Sequence, residues 1–135
     1  YVSHAIIQVL EHVVTMANDV YAFDINPVSE FQFTKYSDSE AGGYDWHKDG
    51  HIVPEQHPAY TQRKLSIVLC LNDHGSNYKG GELLVKTENK EEVSEHKMSS
   101  GDVVIFPSFY EHKVNPVKEG TRYSIVSWVK GPKWR

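Results

Sequence analysis

The sequence predicts a mainly β domain, a sandwich or jelly roll with one helix near its N-terminal end. Two observations predict this class. Apolar residues recur at three- and four-residue steps at the start of the chain, which indicates an amphipathic helix, and from about Ser29 onward the period changes to two, which indicates strands. One helix followed by many short strands is typical of two-layer β architectures.

The predicted helix spans about residues 2–20. Its apolar side chains share one face at helical spacing, so we expect the helix to pack on the sheet through that face. The face comprises Val2, Ala5, Ile6, Val9, Leu10, Val13, Ala17 and Val20.

The predicted β core spans about residues 29–130 and begins where Phe31 and Phe33 alternate with polar residues. Further strands are predicted at residues 64–72, 82–87, 102–106, 111–115 and 121–129. Turn-rich segments at 38–43, 72–81, 99–101 and 116–120 separate them. Residues 50–63 contain two prolines and little periodicity, which predicts a loop long enough to act as a lid.

Length and composition limit the class of protein. The 135 residues, of which 39% are hydrophobic, suit one domain covering residues 1–135. The net charge of −4 and the absence of a long Lys/Arg run disfavour nucleic acid as a partner. The apolar stretches fall short of the roughly 20 residues of a membrane helix, so no membrane partner is expected. One cysteine, Cys70, favours a reducing, cytoplasmic setting.

A His-x-Asp pair marks a candidate metal site. His47 and Asp49 are two residues apart, so on an extended strand both side chains leave the same face and can reach one ion. Such a pair is weak evidence alone, because His-x-Asp also occurs by chance. His112, in a later predicted strand, supplies a third ligand of suitable type.

Two imidazoles and one carboxylate make a facial triad, which leaves three adjacent positions open on iron(II). A 2-oxo acid can take two of these positions through its carboxylate and oxo oxygens, and dioxygen can take the third. Zinc suits the same ligand types, but iron explains the open face. The other histidines, at positions 4, 12, 57, 74 and 96, are interpreted as solvated, and His51 is a candidate at the site entrance.

Arg122 is a candidate anion clamp. It lies ten residues after His112, and Ser124, Val126 and Trp128 follow on its strand face. A buried arginine beyond a metal can hold a distal carboxylate through paired hydrogen bonds that lysine cannot reproduce.

At this point the sequence resembles the iron(II)- and 2-oxoglutarate-dependent oxygenase superfamily, in particular its prolyl 4-hydroxylase-like branch. The resemblance runs from about Phe31 to Trp128. The residues that carry it are Tyr36 before a glycine turn, Tyr44 just before His47-x-Asp49, Leu71-Asn72, Gly80-Gly81-Glu82-Leu83, the run from Gly101-Asp102 to Phe106, and His112 with Arg122-x-Ser124.

The resemblance implies a double-stranded β-helix that couples oxidative decarboxylation of 2-oxoglutarate to hydroxylation of a substrate. It implies iron(II), 2-oxoglutarate and dioxygen, with ascorbate as a reductant. The implied iron ligands are His47, Asp49 and His112; the implied cosubstrate residues are Arg122, Tyr36, Val114 and Ser124; and the implied substrate residues are Tyr44, His51 and Trp128. Cys70 stands where some animal members carry a tyrosine that binds the cosubstrate, a contact that Ser124 could replace.

The resemblance favours a prolyl residue in a peptide or protein as substrate, with a free amino acid or another small molecule as the alternative. Nucleic-acid demethylases typically carry a second arginine six residues after the first, where this chain has Trp128. A non-catalytic jelly-roll binding module has no chemical need for the complete ligand set. A cupin-type metalloenzyme usually draws on a His-x-His cluster, which this sequence lacks.

Overall fold

The computed structural model describes residues 4–28, 30–40, 42–50, 61–87 and 92–132. In these ranges one helix precedes nine strands, with a short 3-10 helix (Asp38–Glu40) after the first strand. The elements are α1 (His4–Tyr21), β1 (Glu30–Ser37), β2 (Tyr44–His47), β3 (Thr61–Cys70), β4 (Tyr78–Gly80), β5 (Leu83–Lys86), β6 (Val93–His96), β7 (Val103–Pro107), β8 (His112–Val114) and β9 (Val117–Pro132).

The strands form two antiparallel sheets. The larger sheet has the order β1-β9-β3-β7, and β4 pairs with β9 beside it; the smaller has the order β2-β8-β5-β6. Apart from β5 and β6, strands that are consecutive in the chain do not pair with each other in either sheet, as in a jelly roll. The predicted mainly β jelly roll with an N-terminal helix is confirmed.

Helix α1 covers the outer face of the larger sheet. Leu10 and Val14 pack with Leu65 and Ile67 of β3, and with Val129 of β9, in one buried cluster. The predicted packing on the sheet is therefore confirmed.

The predicted apolar face of α1 is partly wrong. Val9 is 52% exposed and Val20 is 80% exposed, whereas Val14, which the prediction omitted, is buried. Leu10 and Val14 are one helical turn apart, and Val9 and Val20 project roughly a third of a turn away from that line. Apolar spacing identified the helix correctly but overestimated the width of its contact face. Val2 of that face lies outside the described residues.

The inner faces of the two sheets enclose a second core and the cavity described below. Val68 and Cys70 of β3 pack with Leu83, Val85 and Phe106 in this core. Because strand side chains alternate, β3 sends Leu65 and Ile67 toward the helix and Ser66, Val68 and Cys70 inward.

Several predicted boundaries differ from the structure. The segments 72–81 and 116–120, predicted as turns, include β4 and the start of β9, which pair with each other. Residues 61–63 of the predicted loop belong to β3, and residues 51–60 lie outside the described part of the chain. Strand β2 ends at His47, so Asp49 follows the strand and does not share it. Among the described residues, no helix has the length and apolar character needed to cross a membrane.

Candidate active site

A cavity of about 290 Å³ lies between the two sheets. Nine of the ten predicted site residues line it, and these are Tyr36, Tyr44, His47, Asp49, His112, Val114, Arg122, Ser124 and Trp128. The tenth, His51, lies outside the described residues. Residues from β1, β2, β8 and β9 therefore meet at one place although the chain separates them widely.

Three potential metal ligands converge at one side of the cavity. The ring nitrogen Nε2 of His47 and that of His112 each lie 3.3 Å from Oδ1 of Asp49. The three ligand atoms all lie within 4.8 Å of one another. The pairing of β2 with β8 brings the histidines together, since His47 is opposite His112 in that register.

The hydrogen bonds of both imidazoles leave Nε2 available to a metal. Nδ1 of His47 lies 2.7 Å from the carbonyl oxygen of Asp45, and Nδ1 of His112 lies 3.1 Å from that of Tyr110. A carbonyl only accepts, so in the neutral ring Nδ1 carries the proton and Nε2 presents its lone pair. Burial lowers the pKa of His47, although its hydrogen bond to the Asp45 backbone opposes this, and the lowered pKa favours the neutral ring.

Asp49 is held by its other carboxylate oxygen. Oδ2 accepts hydrogen bonds from Ser66 Oγ at 2.6 Å and from the Trp128 indole N–H at 2.9 Å. Burial raises the pKa of the Asp49 carboxyl, but hydrogen bonds from His112 and Ser66, with that of the indole, outweigh burial and lower the pKa to about 2. The carboxylate is thus ionised, with Oδ1 directed at the two imidazoles.

Two serines that were not predicted as site residues support Asp49. Ser66 Oγ lies 2.9 Å from Ser108 Oγ, and the Ser108 carbonyl accepts the backbone N–H groups of Asp49 and Gly50. Because Ser66 donates its proton to Asp49, Ser108 donates to Ser66. The sequence pattern that could have indicated Ser66 is a single serine within the apolar run of β3.

The donor set fits iron(II). Two neutral imidazoles and one carboxylate on one side of an open cavity match the facial triad, and each ligand has the outer hydrogen bond that orients metal ligands in proteins.

Arg122 is buried in the same cavity with unsatisfied hydrogen-bonding capacity. Its side chain is 2% exposed, and Nη1 donates to Ser124 Oγ at 3.1 Å. Nε and Nη2 have no hydrogen-bond partner within the described residues. Leaving two nitrogen groups of a buried cation unsatisfied is costly, so the retention of Arg122 points to an anion that enters the cavity.

Tyr36 lies beside Arg122, because these two residues are opposite each other where β1 pairs with β9. Burial raises the pKa of Tyr36, and Arg122 opposes that rise, so the hydroxyl remains a donor at neutral pH. Val114 of β8 is opposite both Tyr44 and Leu83 in its pairings, and all three line the cavity.

Trp128 and Arg63 form a stacked pair at the cavity. The guanidinium carbon of Arg63 lies 3.9 Å from the Trp128 ring centroid, and Arg63 Nε donates to Glu30 at 3.0 Å. Trp128 was predicted to wall the substrate side; the structure places it in the cavity wall and adds its hydrogen bond to Asp49. Arg63 was not predicted as a site residue.

Comparison with known proteins agrees with this geometry. Residues 31–130 match the model of the 2OG-Fe(II) oxygenase superfamily. A PKHD-type hydroxylase of Pseudomonas putida is 37% identical over 93 residues, covering 67% of this chain and 39% of the relative. One from Xylella fastidiosa is 34% identical over 105 residues, covering 73% of this chain and 43% of the relative. The chain thus spans about two fifths of these relatives' length.

Solved structures share the fold at low sequence identity. A prolyl-4-hydroxylase from Pseudomonas putida superposes with a TM-score of 0.67 at 21% identity, over 93% of this chain and 63% of that one. A viral collagen prolyl hydroxylase from Paramecium bursaria Chlorella virus-1, solved with 2OG, superposes with a TM-score of 0.70 at 17% identity, over 97% of this chain and 76% of that one. With a family match over residues 31–130 and the predicted residues gathered in one cavity, the chain belongs to the 2OG-Fe(II) oxygenase superfamily.

Proposed function

We propose that this chain carries the catalytic site of an iron(II)- and 2-oxoglutarate-dependent hydroxylase whose substrate is a prolyl residue in a peptide or protein. One observation carries the proposal. The buried Arg122 has two unpaired donors in the same cavity as the His47, Asp49 and His112 cluster. A ligand with a carboxylate at one end and metal-binding oxygens at the other suits both parts of this cavity.

In this proposal His47, Asp49 and His112 hold iron(II), and Arg122 binds the distal carboxylate of 2-oxoglutarate. When bound, the metal and cosubstrate activate dioxygen, and oxidative decarboxylation of 2-oxoglutarate to succinate and carbon dioxide drives substrate hydroxylation. The hydrogen bonds from Ser66 and Trp128 keep the Asp49 carboxylate oriented, which favours a preformed site.

Tyr36, Ser124 and Val114 complete the proposed cosubstrate pocket. Ser124 accepts a hydrogen bond from Arg122 Nη1, which orients the guanidinium group. The protonated Tyr36 hydroxyl is suited to donate to a carboxylate oxygen. Val114 supplies an apolar wall on the opposite sheet.

The substrate is proposed to approach past Tyr44 and the Arg63–Trp128 pair. Gln32 and Thr34 of β1 also line this cavity, and their polar groups suit the amide groups of a peptide. The relatives are called hydroxylases and the compared structures are called prolyl hydroxylases, which favours a prolyl substrate over a free amino acid.

We also propose a reducing, cytoplasmic location, because Cys70 is a buried free thiol.

Anaerobic titration tests the cofactor pair. Iron(II) and 2-oxoglutarate are added to the protein, and the visible metal-to-ligand charge-transfer band of a chelated 2-oxo acid is recorded. We expect the band in the wild type and in Asp19→Ala, which removes an exposed carboxylate from α1, but not in Asp49→Ala. No band in the wild type despite bound metal would contradict the proposed function.

Release of succinate in the presence of candidate substrates tests the substrate class. Proline-containing peptides, the same peptides with alanine in place of proline, and free proline are compared at equal concentration. Hydroxylated product from the proline peptides alone supports the proposal. Product from free proline alone would replace it with hydroxylation of a small molecule.

A further inference from the structure

Tyr78, on the strand β4 that pairs with β9, lies next to the Arg122 side chain. A Cβ atom at Gly81 would lie 3.2 Å from Arg122 Cδ and 3.2 Å from Tyr78 Cε2. Gly81 also has φ of +66°, a conformation that side chains disfavour. Because Gly81 has no side chain, the Tyr78 ring and the aliphatic part of the Arg122 side chain can both lie close to its backbone.

The Tyr78 hydroxyl has only a weak acceptor. Tyr78 is 2% exposed, and within the described part of the chain its hydroxyl lies 3.7 Å from Cys70 Sγ and close enough to the Arg122 guanidinium group for a hydrogen bond. A guanidinium group can only donate, so the sulfur is the acceptor for the proton of this hydroxyl. The thiol donates its own proton to the Asn72 carbonyl at 3.0 Å, and a thiol sulfur accepts weakly. A buried phenol with so poor an acceptor is under-satisfied, as are Nε and Nη2 of Arg122.

The Tyr78 hydroxyl and Nε and Nη2 of Arg122 therefore lie in one buried region, and no carboxylate among the residues described accepts their protons. A carboxylate has two oxygens and about four acceptor sites, so one carboxylate can satisfy all three donors. Burial and Cys70 raise the pKa of Tyr78 to about 12, although Arg122 acts in the opposite direction, so the phenol keeps its proton.

We infer that Tyr78 is a further cosubstrate-binding residue, whose hydroxyl donates to the same distal carboxylate that Arg122 binds. The inference rests on the proposed function. Cys70 is opposite Ser124 in the pairing of β3 with β9, directly beside the clamp. Tyr78 is on β4, and its hydroxyl lies 3.7 Å from Cys70 Sγ.

Calorimetric titration with two ligands tests this contact without turnover. The protein is loaded with Mn(II) in place of iron and titrated with 2-oxoglutarate, and separately with 2-oxopentanoate, which has a methyl group in place of the distal carboxylate. We expect Tyr78→Phe to reduce the preference for 2-oxoglutarate over 2-oxopentanoate about tenfold, the usual effect of losing one hydrogen bond to a charged group. Tyr123→Phe, a tyrosine stacked on exposed Phe33, is the matched control.

The ratio of the two affinities makes the result independent of folding yield, because unfolded protein lowers the binding stoichiometry of both ligands equally. An unchanged ratio in Tyr78→Phe would overturn the inference while leaving the proposed function intact. If the wild type binds neither ligand, the proposed function fails as well. Equal weakening of both ligands would assign Tyr78 a structural role and likewise overturn the inference.

Discussion

The indole N–H of Trp128 donates a hydrogen bond of 2.9 Å to Oδ2 of Asp49, a residue 79 positions earlier in the chain. The contact links β9 of the larger sheet to the segment that follows β2 of the smaller one. It therefore ties the orientation of a proposed metal ligand to the packing of the two sheets.

Trp128→Phe should weaken metal binding by about tenfold, the lower end of the usual effect of losing an outer partner of a ligand. Phenylalanine retains an aromatic ring but cannot donate to Oδ2, which leaves Ser66 as the remaining side-chain donor to that oxygen. Mn(II) affinity measured by calorimetry checks this. Trp46→Phe is the matched control, because that ring contacts lysines 86 and 113 outside the cavity. Equal metal affinity in Trp128→Phe and wild type would rule out the orienting role.

Arg122→Met should stabilise the protein in the absence of cosubstrate and abolish its response to 2-oxoglutarate. The guanidinium group is buried with two unpaired donors, and an apolar side chain of similar length removes that cost, about 1–3 kcal/mol. Thermal unfolding with and without 2-oxoglutarate checks both effects, since a ligand raises the midpoint only when it binds the folded state.

Lys130→Ala, which removes a surface cation paired with Glu30, is the control for that experiment. It should keep the rise in unfolding midpoint that 2-oxoglutarate causes in the wild type. If 2-oxoglutarate raises the unfolding midpoint of Arg122→Met as much as that of the wild type, another group binds the distal carboxylate.

Glu82→Gln should reduce stability near neutral pH and have less effect in acid. His74 Nε2 lies 2.8 Å from one Glu82 oxygen, and Asn115 donates to the other at 3.2 Å. Burial raises the pKa of Glu82, but the hydrogen bonds from Asn115 and His74 prevail and lower the pKa from its usual value. A carboxyl with a lowered pKa in the folded state stabilises that state above its unfolded pKa, and this contribution is lost as the pH falls through the folded pKa.

Urea unfolding at several pH values measures this. The difference in the free energy of unfolding between wild type and Glu82→Gln should be largest above about pH 5 and should decrease steadily below that pH. Glu95→Gln, at an exposed position, should differ little from wild type at any pH. A difference that stays constant from acid to neutral pH would show that Glu82 acts through packing and not through its charge.

Leu10→Ala should destabilise the domain by about 2–5 kcal/mol, because it opens a cavity between the helix and the larger sheet. Leu10 is fully buried in the cluster that joins α1 to β3 and β9. Val9→Ala is the matched control: this side chain is 52% exposed, and such surface changes usually cost within about 0.5 kcal/mol. Equal losses in the two variants would show that α1 also packs through the face that contains Val9.

The spacing of apolar residues along the chain was enough to predict the helix and most of the strands. Period-two alternation located most strands because adjacent strand side chains point to opposite faces. The residue types at positions 47, 49, 112 and 122 restricted the chemistry, since imidazole, carboxylate and guanidinium groups have few uses in such a combination. Spacing could not decide how wide the buried face of α1 is, because that depends on the curvature and side chains of the sheet beneath it.

Only the tertiary structure decided which distant residues meet. The pairing of β2 with β8 places His47 opposite His112, and that of β1 with β9 places Tyr36 opposite Arg122. The hydrogen bonds of Ser66 and Trp128 to Asp49, and the unpaired donors of Arg122, follow from burial and cross-strand register. The sequence by itself determined which chemical groups are available. The folded chain decided which of them share a cavity, because strands distant in sequence become neighbours only when the sheets form.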